Sequence, residues 1–239
     1  MPLADGARES SVLWLRLLLT PGIGPGSVRR LLAAFGLPED VFAAGHTRLS
    51  AALDGPRAQA LLGEDSARDE AVQAALDWAQ APCRHLIALD DPRYPRRLLE
   101  ISDPPPVLFV HGHPQVLENP SLAIVGRRHA TQAGLAHAHD FAQVLGEAGL
   151  TIVSGLAQGI DAAAHRGALD TAAGTVAVLG TGIDLAYPRG HRALADAIAE
   201  RGTVVSELPL GAPAARATLR WTLTLEDGST VRGERRSEA

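Results

Sequence analysis

Lysine is absent from this 239-residue chain, so all 22 of its Lys-plus-Arg cations are arginine. That excludes a Schiff-base lysine and a phosphate loop of the GxxxxGK type. The accompanying excess of alanine ties this bias to codon composition more than to function. Cysteine is nearly absent as well. Cys83 stands alone, which rules out an intrachain disulfide and a cysteine-cluster zinc site and fits a cytoplasmic location. No run approaches about 18 apolar residues, so no transmembrane helix is expected. The apolar stretch Val12–Leu19 is interrupted by Arg16 and followed by no small-residue cleavage site, and it reads as a core helix instead of a signal peptide. A net charge of −5 provides no global field toward nucleic acid, so any such binding must come from a local patch.

What is present is an ordinary core-forming composition, 46% hydrophobic and 21% charged. Residues 1–10 read as a frayed start. From Ser11 to about Asp77, Leu13, Leu17, Leu18, Val28, Leu31, Leu32 and Phe35 recur at three- and four-residue steps, the helical period. Pro21-Gly22, Gly36-Leu37-Pro38 and Gly55-Pro56 break that region into short helices. After Pro82, HLIALD and PVLFVHG read as strands, with a proline-rich extended stretch between them. Strands then follow at Leu122–Val125, Thr151–Ser154, Thr175–Leu179 and Thr203–Ser206. Helices alternate with them at about Thr131–Ala148, Gly159–Thr171 and His191–Glu200. The fold class is α/β, a Rossmann-like parallel-sheet domain preceded by a small all-helical domain of SAM-like or helix-hairpin-helix type. The divisions are a helical domain over 1–80, an incomplete Rossmann-like domain over 81–213 and a divergent tail over 214–239. In that tail, alternating residues around Asp227-Gly228 predict a two-residue β-hairpin.

The strand ends carry the candidate chemistry, because in such a sheet they form one glycine-lined rim open to a ligand's backbone or phosphates. At the first, Gly126 allows a tight exit, and Arg127 and Arg128 stand beside a helix start, an arrangement that suits a phosphate. Two solvated arginines are the plainer alternative, and position on the rim favours the phosphate. At the second, Ser154, Gly155 and Gly159 bracket a loop leading to Asp161, which shares a helix face with His165. An acid at the helix start with a helical partner is favoured over a catalytic dyad. At the third, Tyr187 offers a flat face for a base and Arg189 a charge, the pairing of a single-strand groove, with ordinary surface packing equally open. Pro21–Gly26, a glycine-rich link between helices followed by Arg29 and Arg30, reads as a tight turn, with backbone contact to DNA phosphate as the alternative. No G-x-G-x-x-G follows the first strand, Ser154 sits in no nucleophile elbow, and no metal constellation stands out.

From Leu15 to Pro213 the chain resembles the DNA-processing protein family DprA, also called Smf. The resemblance is carried in order by the GIG segment, DPRYPRRL…ISDPPPVLFVHG, AIVGRRHAT, VSGLAQGIDAAAH, AVLGTGIDLAYP and VVSELPLG. It implies single-stranded DNA binding without sequence preference and loading of RecA during natural transformation, with no enzymatic activity, no cofactor and no membrane partner. It also implies a DNA site with Arg128 as the strand-end arginine, Ser154, Gly155 and Gly159 as the rim and Arg189 as the charge after the YP pair, to which the reading of the strand ends adds Gly126, Arg127 and Tyr187. Arg127 stands where the family usually has Ser or Thr, and Gln158 where it commonly has Arg or Lys. The family's asparagine- and arginine-bearing continuation is missing after Pro213, which leaves the family homodimer in doubt.

The tail therefore reads as that of a truncated or frameshifted copy, with a natural variant closing its sheet by the hairpin as the alternative. An edge strand near Val204 would then lie open. The rival functions are a Rossmann-like nucleotide phosphoribohydrolase, whose PGGxGTxxE glutamate has no counterpart in GTGID, and a non-functional remnant.

Overall fold

The computed structural model describes residues 5–214, 218–224 and 230–236. Two compact units divide the chain, Met1–Leu108 and Phe109–Ala239. The first contains α1 (Asp5–Leu19), α2 (Pro25–Phe35), α3 (Pro38–Ala43), α4 (Gly45–Ala52), α5 (Gly55–Leu62), α6 (Ser66–Trp78) and β1 (Arg84–Ala88). The helix expected to begin at Ser11 begins at Asp5, because Ala7, Arg8 and Glu9 are good helix formers and nothing among them breaks the turn. Its Trp14, Leu15 and Leu17 are buried, so the apolar stretch is a core helix as expected. Later helices start where a side-chain oxygen meets an orphan amide: Asp54 accepts from the Arg57 N–H at 2.8 Å, and Asp65 from the Arg68 N–H at 3.0 Å. Proline in the first turn opens α2, α3 and α5, where its missing N–H costs nothing. The proline-rich stretch is held down by Tyr94, buried with its hydroxyl donating to the Pro105 carbonyl at 2.9 Å, and it coils into a 3-10 turn at Arg96–Glu100.

Arg68 is the unusual core residue of this unit, a guanidinium only 3% exposed. It donates to the carbonyls of Ala60 (2.9 Å), Leu61 (3.3 Å) and Gly63 (2.7 Å), the acceptors left open where α5 ends.

The second unit is built on β2 (Val107–Gly112), β3 (Ser121–Ala123), β4 (Thr151–Ser154), β5 (Thr175–Val178) and β6 (Thr203–Ser206). These alternate with α7 (Gln132–Glu147), α8 (Ile160–Ala168) and α9 (Arg192–Arg201). Within this unit the strand order is β2-β6-β5-β4-β3. The run β3 to β6 is parallel, with Leu122 beside Ile152, Val153 beside Val176 and Ala177 beside Val204. The fold class is therefore the one the sequence implied.

One topological expectation is corrected. The strand holding Val204 is not an open edge, because β2 returns antiparallel along β6 and places His111 opposite Val204. The sheet is consequently mixed. Two apolar clusters pack the unit: Leu156, Ala177, Leu179, Ile198 and Val204 in one, Ala142, Ile152, Ala164 and Ala168 in the other.

Beyond it, β7 (Thr218–Thr224) and β8 (Thr230–Arg236) form a separate two-stranded sheet and do not extend the larger one. Thr224 faces Thr230, so the register leaves an odd number of residues between partners. The two-residue turn expected at Asp227-Gly228 falls in residues 225–229, outside the described residues.

Replacing Arg68 with leucine orphans three helix-end carbonyls in the core. We expect urea unfolding of Arg68→Leu to show a loss of about 2–4 kcal/mol. A loss below about 0.5 kcal/mol would contradict the structural role.

Candidate functional site

The carboxyl ends of β3, β4 and β5 lie along one edge of the parallel run, and the loops leaving them are stitched together. Ser154, at the end of β4, is fully buried and its hydroxyl donates to the Ile124 carbonyl at 2.6 Å. The Ile160 N–H, opening α8, donates to the Arg127 carbonyl at 3.3 Å. Asp161, in the first turn of α8 and 5% exposed, accepts from the Gly126 N–H at 3.3 Å. From the third loop, His191 Nδ1 donates to the Leu156 carbonyl at 2.9 Å. Leu156 itself sits at φ +58, costing roughly 1 kcal/mol, and its complete burial in the apolar cluster holds it there.

The glycines of the rim serve this closeness. Gly159 has φ +83, and a Cβ there would be driven into the carbonyl oxygens of Arg127 and Arg128. A Cβ on Gly126 would strike the Ile160 side chain, and one on Gly155 would lie 3.0 Å from Asp161 Oδ2. The sequence suggested that these glycines make room for a ligand; at Gly126 and Gly159 the room is taken by the chain's own atoms.

What faces outward is a cleft of about 430 Å³, lined among others by Arg128, His129, Gln158, Gly159, Arg166 and His191. Among the described residues no carboxylate lines it. Arg128 comes from the loop after β3, Gln158 and Gly159 from the turn into α8, Arg166 from α8, and His191 from the short 3-10 turn before α9. Among the described residues neither Arg128 nor Arg166 pairs with a carboxylate, whereas Arg192 is paired with Asp196 and Arg201 with Asp170. The N-terminus of α8 opens beside the cleft with Gly159 as its cap and no capping side chain. Two guanidinium groups with no carboxylate partner among the described residues make this a place for an anion.

Of the eight residues singled out from the sequence, Arg128 and Gly159 line the cleft, and Gly126, Gly155 and Ser154 build the floor behind it. Arg127 is exposed and contributes its carbonyl to α8. Tyr187 and Arg189 are exposed on the loop that carries His191 and lie outside the lining. Arg166, His129 and His191 were not singled out. A four-residue step from Gln158 through Ala162 to Arg166 is the signal that could have found Arg166.

Asp161 and His165 do not form a dyad. His165 is fully buried; Thr175 Oγ1 donates its one proton to the Ile152 carbonyl at 2.6 Å, so His165 Nδ1–H donates to Thr175 Oγ1 at 2.7 Å. Its Nε2 makes no hydrogen bond among the described residues. Burial, reinforced by the nearby His191 and Arg166, pulls the imidazole down to about 3 from its ordinary 6.5. A base that weak has no use in proton transfer near neutrality. The third loop's acid, Asp184, is also engaged, accepting from the Gly211 N–H at 2.9 Å. In the helical unit, Arg29 hydrogen-bonds the Ser102 carbonyl and pairs with Asp103, and Arg30 reaches Ser27 Oγ at 3.2 Å, so neither stands ready beside the Pro21–Gly26 turn.

Comparison with known proteins now bears on this geometry. The family model for DNA recombination-mediator protein A matches residues 85–220. Protein Smf of Synechocystis sp. is 36% identical over 212 residues, covering 86% of this chain and 52% of that one. DNA processing protein DprA of Streptococcus pneumoniae is 44% identical over 119 residues, covering 50% of this chain and 42% of that one. The chain thus spans about half the length, or less, of these relatives. The X-ray structure of the Streptococcus pneumoniae protein superposes with a TM-score of 0.61 at 27% identity, covering 90% of this chain and 71% of that one. DNA processing protein A from Helicobacter pylori, described for its single-stranded DNA binding mode, superposes at 0.50 with 28% identity, covering 55% of this chain and 60% of that one.

The His165 geometry fixes a pH dependence. Below pH 6.5 the unfolded chain takes up a proton that the folded chain refuses until about pH 3. Stability therefore falls as pH is lowered through that window, by up to about 1.4 kcal/mol per pH unit from this group. Urea unfolding between pH 7 and pH 4 is expected to show a shallower fall in His165→Asn than in the parent; equal slopes would contradict the assignment.

Proposed function

The chain belongs to the DNA recombination-mediator protein A family, and on that premise we propose that its rim cleft binds single-stranded DNA without sequence preference. In this reading the protein works in DNA processing during natural transformation and delivers the bound strand to a RecA-type recombinase. It acts as a binding protein and catalyses no reaction.

The observation that carries the reading is the separation of charge at the cleft. The chain is net negative, yet among the described residues the lining holds two guanidinium groups without a carboxylate partner, two imidazoles and no carboxylate. Asp161, the nearest acid in the sequence, faces inward to the Gly126 amide. Such a surface attracts a polyanion locally while the molecule as a whole repels it. Arg128 would hold a phosphate with its fork. Tyr187, exposed at 46%, would offer its ring to a base, with Arg189 two residues on holding the next phosphate. Gly126, Gly155, Gly159 and Ser154 support the site by fixing the loops, and Arg127 adds an exposed charge beside Arg128. The Helicobacter pylori relative, described for its single-stranded DNA binding mode, supports the same ligand.

Binding of fluorescently labelled oligothymidylate, measured across a range of salt, tests this. Arg128→Ala is expected to weaken binding several-fold and to lower the slope of log affinity against log salt by about 0.7, one phosphate contact. Affinity and slope both unchanged would count against the cleft.

A further inference from the structure

We propose that Arg166 is a second phosphate anchor, so that the bound strand continues outward along α8 beyond the Gly159 turn. The proposal rests on the single-stranded DNA reading above and extends the site beyond the strand-end loops.

Gln158, Ala162 and Arg166 follow at four-residue steps, and all three line the cleft. Gln158 belongs to the turn before α8, and Ala162 and Arg166, four residues apart on the helix, share one face, so the lining runs from the turn up α8. At 1.5 Å per residue, Arg166 stands about 10 Å along the helix from Gly159. Ala162, between them, is buried and carries only a methyl group, which leaves the line unobstructed.

Arg166 also lacks the partner its own sequence would provide. Asp170 lies four residues on, the spacing of a helical ion pair, but it is taken by Arg201 from α9. Arg166 is exposed and has no carboxylate partner among the described residues. A cation in the last turn of a helix is favoured by the dipole wherever it points. This one belongs to the lining of the cleft that holds Arg128, and that position is what dipole preference alone does not account for.

The test is titration of the full chain with labelled oligothymidylate at several salt concentrations. Arg166→Ala, Arg166→Lys, Arg128→Ala and, as a control for loss of surface charge, Arg192→Ala are compared with the parent. Arg166→Ala is expected to bind several-fold more weakly than Arg192→Ala and to lose about 0.7 from the salt slope, and Arg166→Lys to restore the slope. Thermal melting should be unchanged, because the side chain is exposed and unpaired. Should the alanine variant melt lower, Arg166→Gln, which keeps much of the stem, is read in its place. If Arg166→Ala matches Arg192→Ala while Arg128→Ala is weakened, the second anchor is overturned and the DNA reading stands. If Arg128→Ala is also unaffected, the DNA reading falls and the anchor falls with it.

Discussion

The hydrogen bond from the Gly126 amide to the buried Asp161 carboxylate is the contact on which the candidate site depends. It ties the loop after β3 to the first turn of α8, and the Ile160 amide and Ser154 hydroxyl bind the same two segments close by. The carboxylate sits at the positive end of a helix, so its charge is answered from within. That leaves the outward face of the same loops to arginine and histidine. A net-negative protein thereby presents a cleft that no carboxylate lines among the described residues.

Close packing explains the glycines better than ligand access does. Gly159 lies against two arginine carbonyls, and Gly126 lies against Ile160. These are approaches of the chain to itself, and they bring Arg128 and the α8 N-terminus to one place. The capacity to hold an anion then comes from the guanidinium groups so positioned, with the glycines acting one step earlier. His165 belongs to the same scaffold. Its proton is committed to Thr175 and its pKa is depressed by burial, which makes it a packing residue of α8 on β5.

Much of this was legible in the residues, for local reasons. The strands at Thr151–Ser154 and Thr203–Ser206 fall where β-branched runs stop, and the six-helix character of the first unit follows from its apolar period and its proline starts. What escaped was non-local. The antiparallel return of β2 along β6 joins residues about ninety positions apart, and no pattern near Val204 announces it. The partner of Asp161 was read as His165 from helical spacing, while the structure gives it a backbone amide thirty-five residues upstream. Arg166 was not singled out at all; its spacing from Asp170 is that of an ordinary helical pair, and only the fold shows that Arg201 claims that acid.

Amide hydrogen exchange with and without oligothymidylate tests the central claim most directly, because it reports where on the chain the strand lies. Slowed exchange concentrated at residues 126–135 and 155–166 is the result the account predicts. Protection confined to the helices of residues 5–78, with the strand-end loops unchanged, would contradict it.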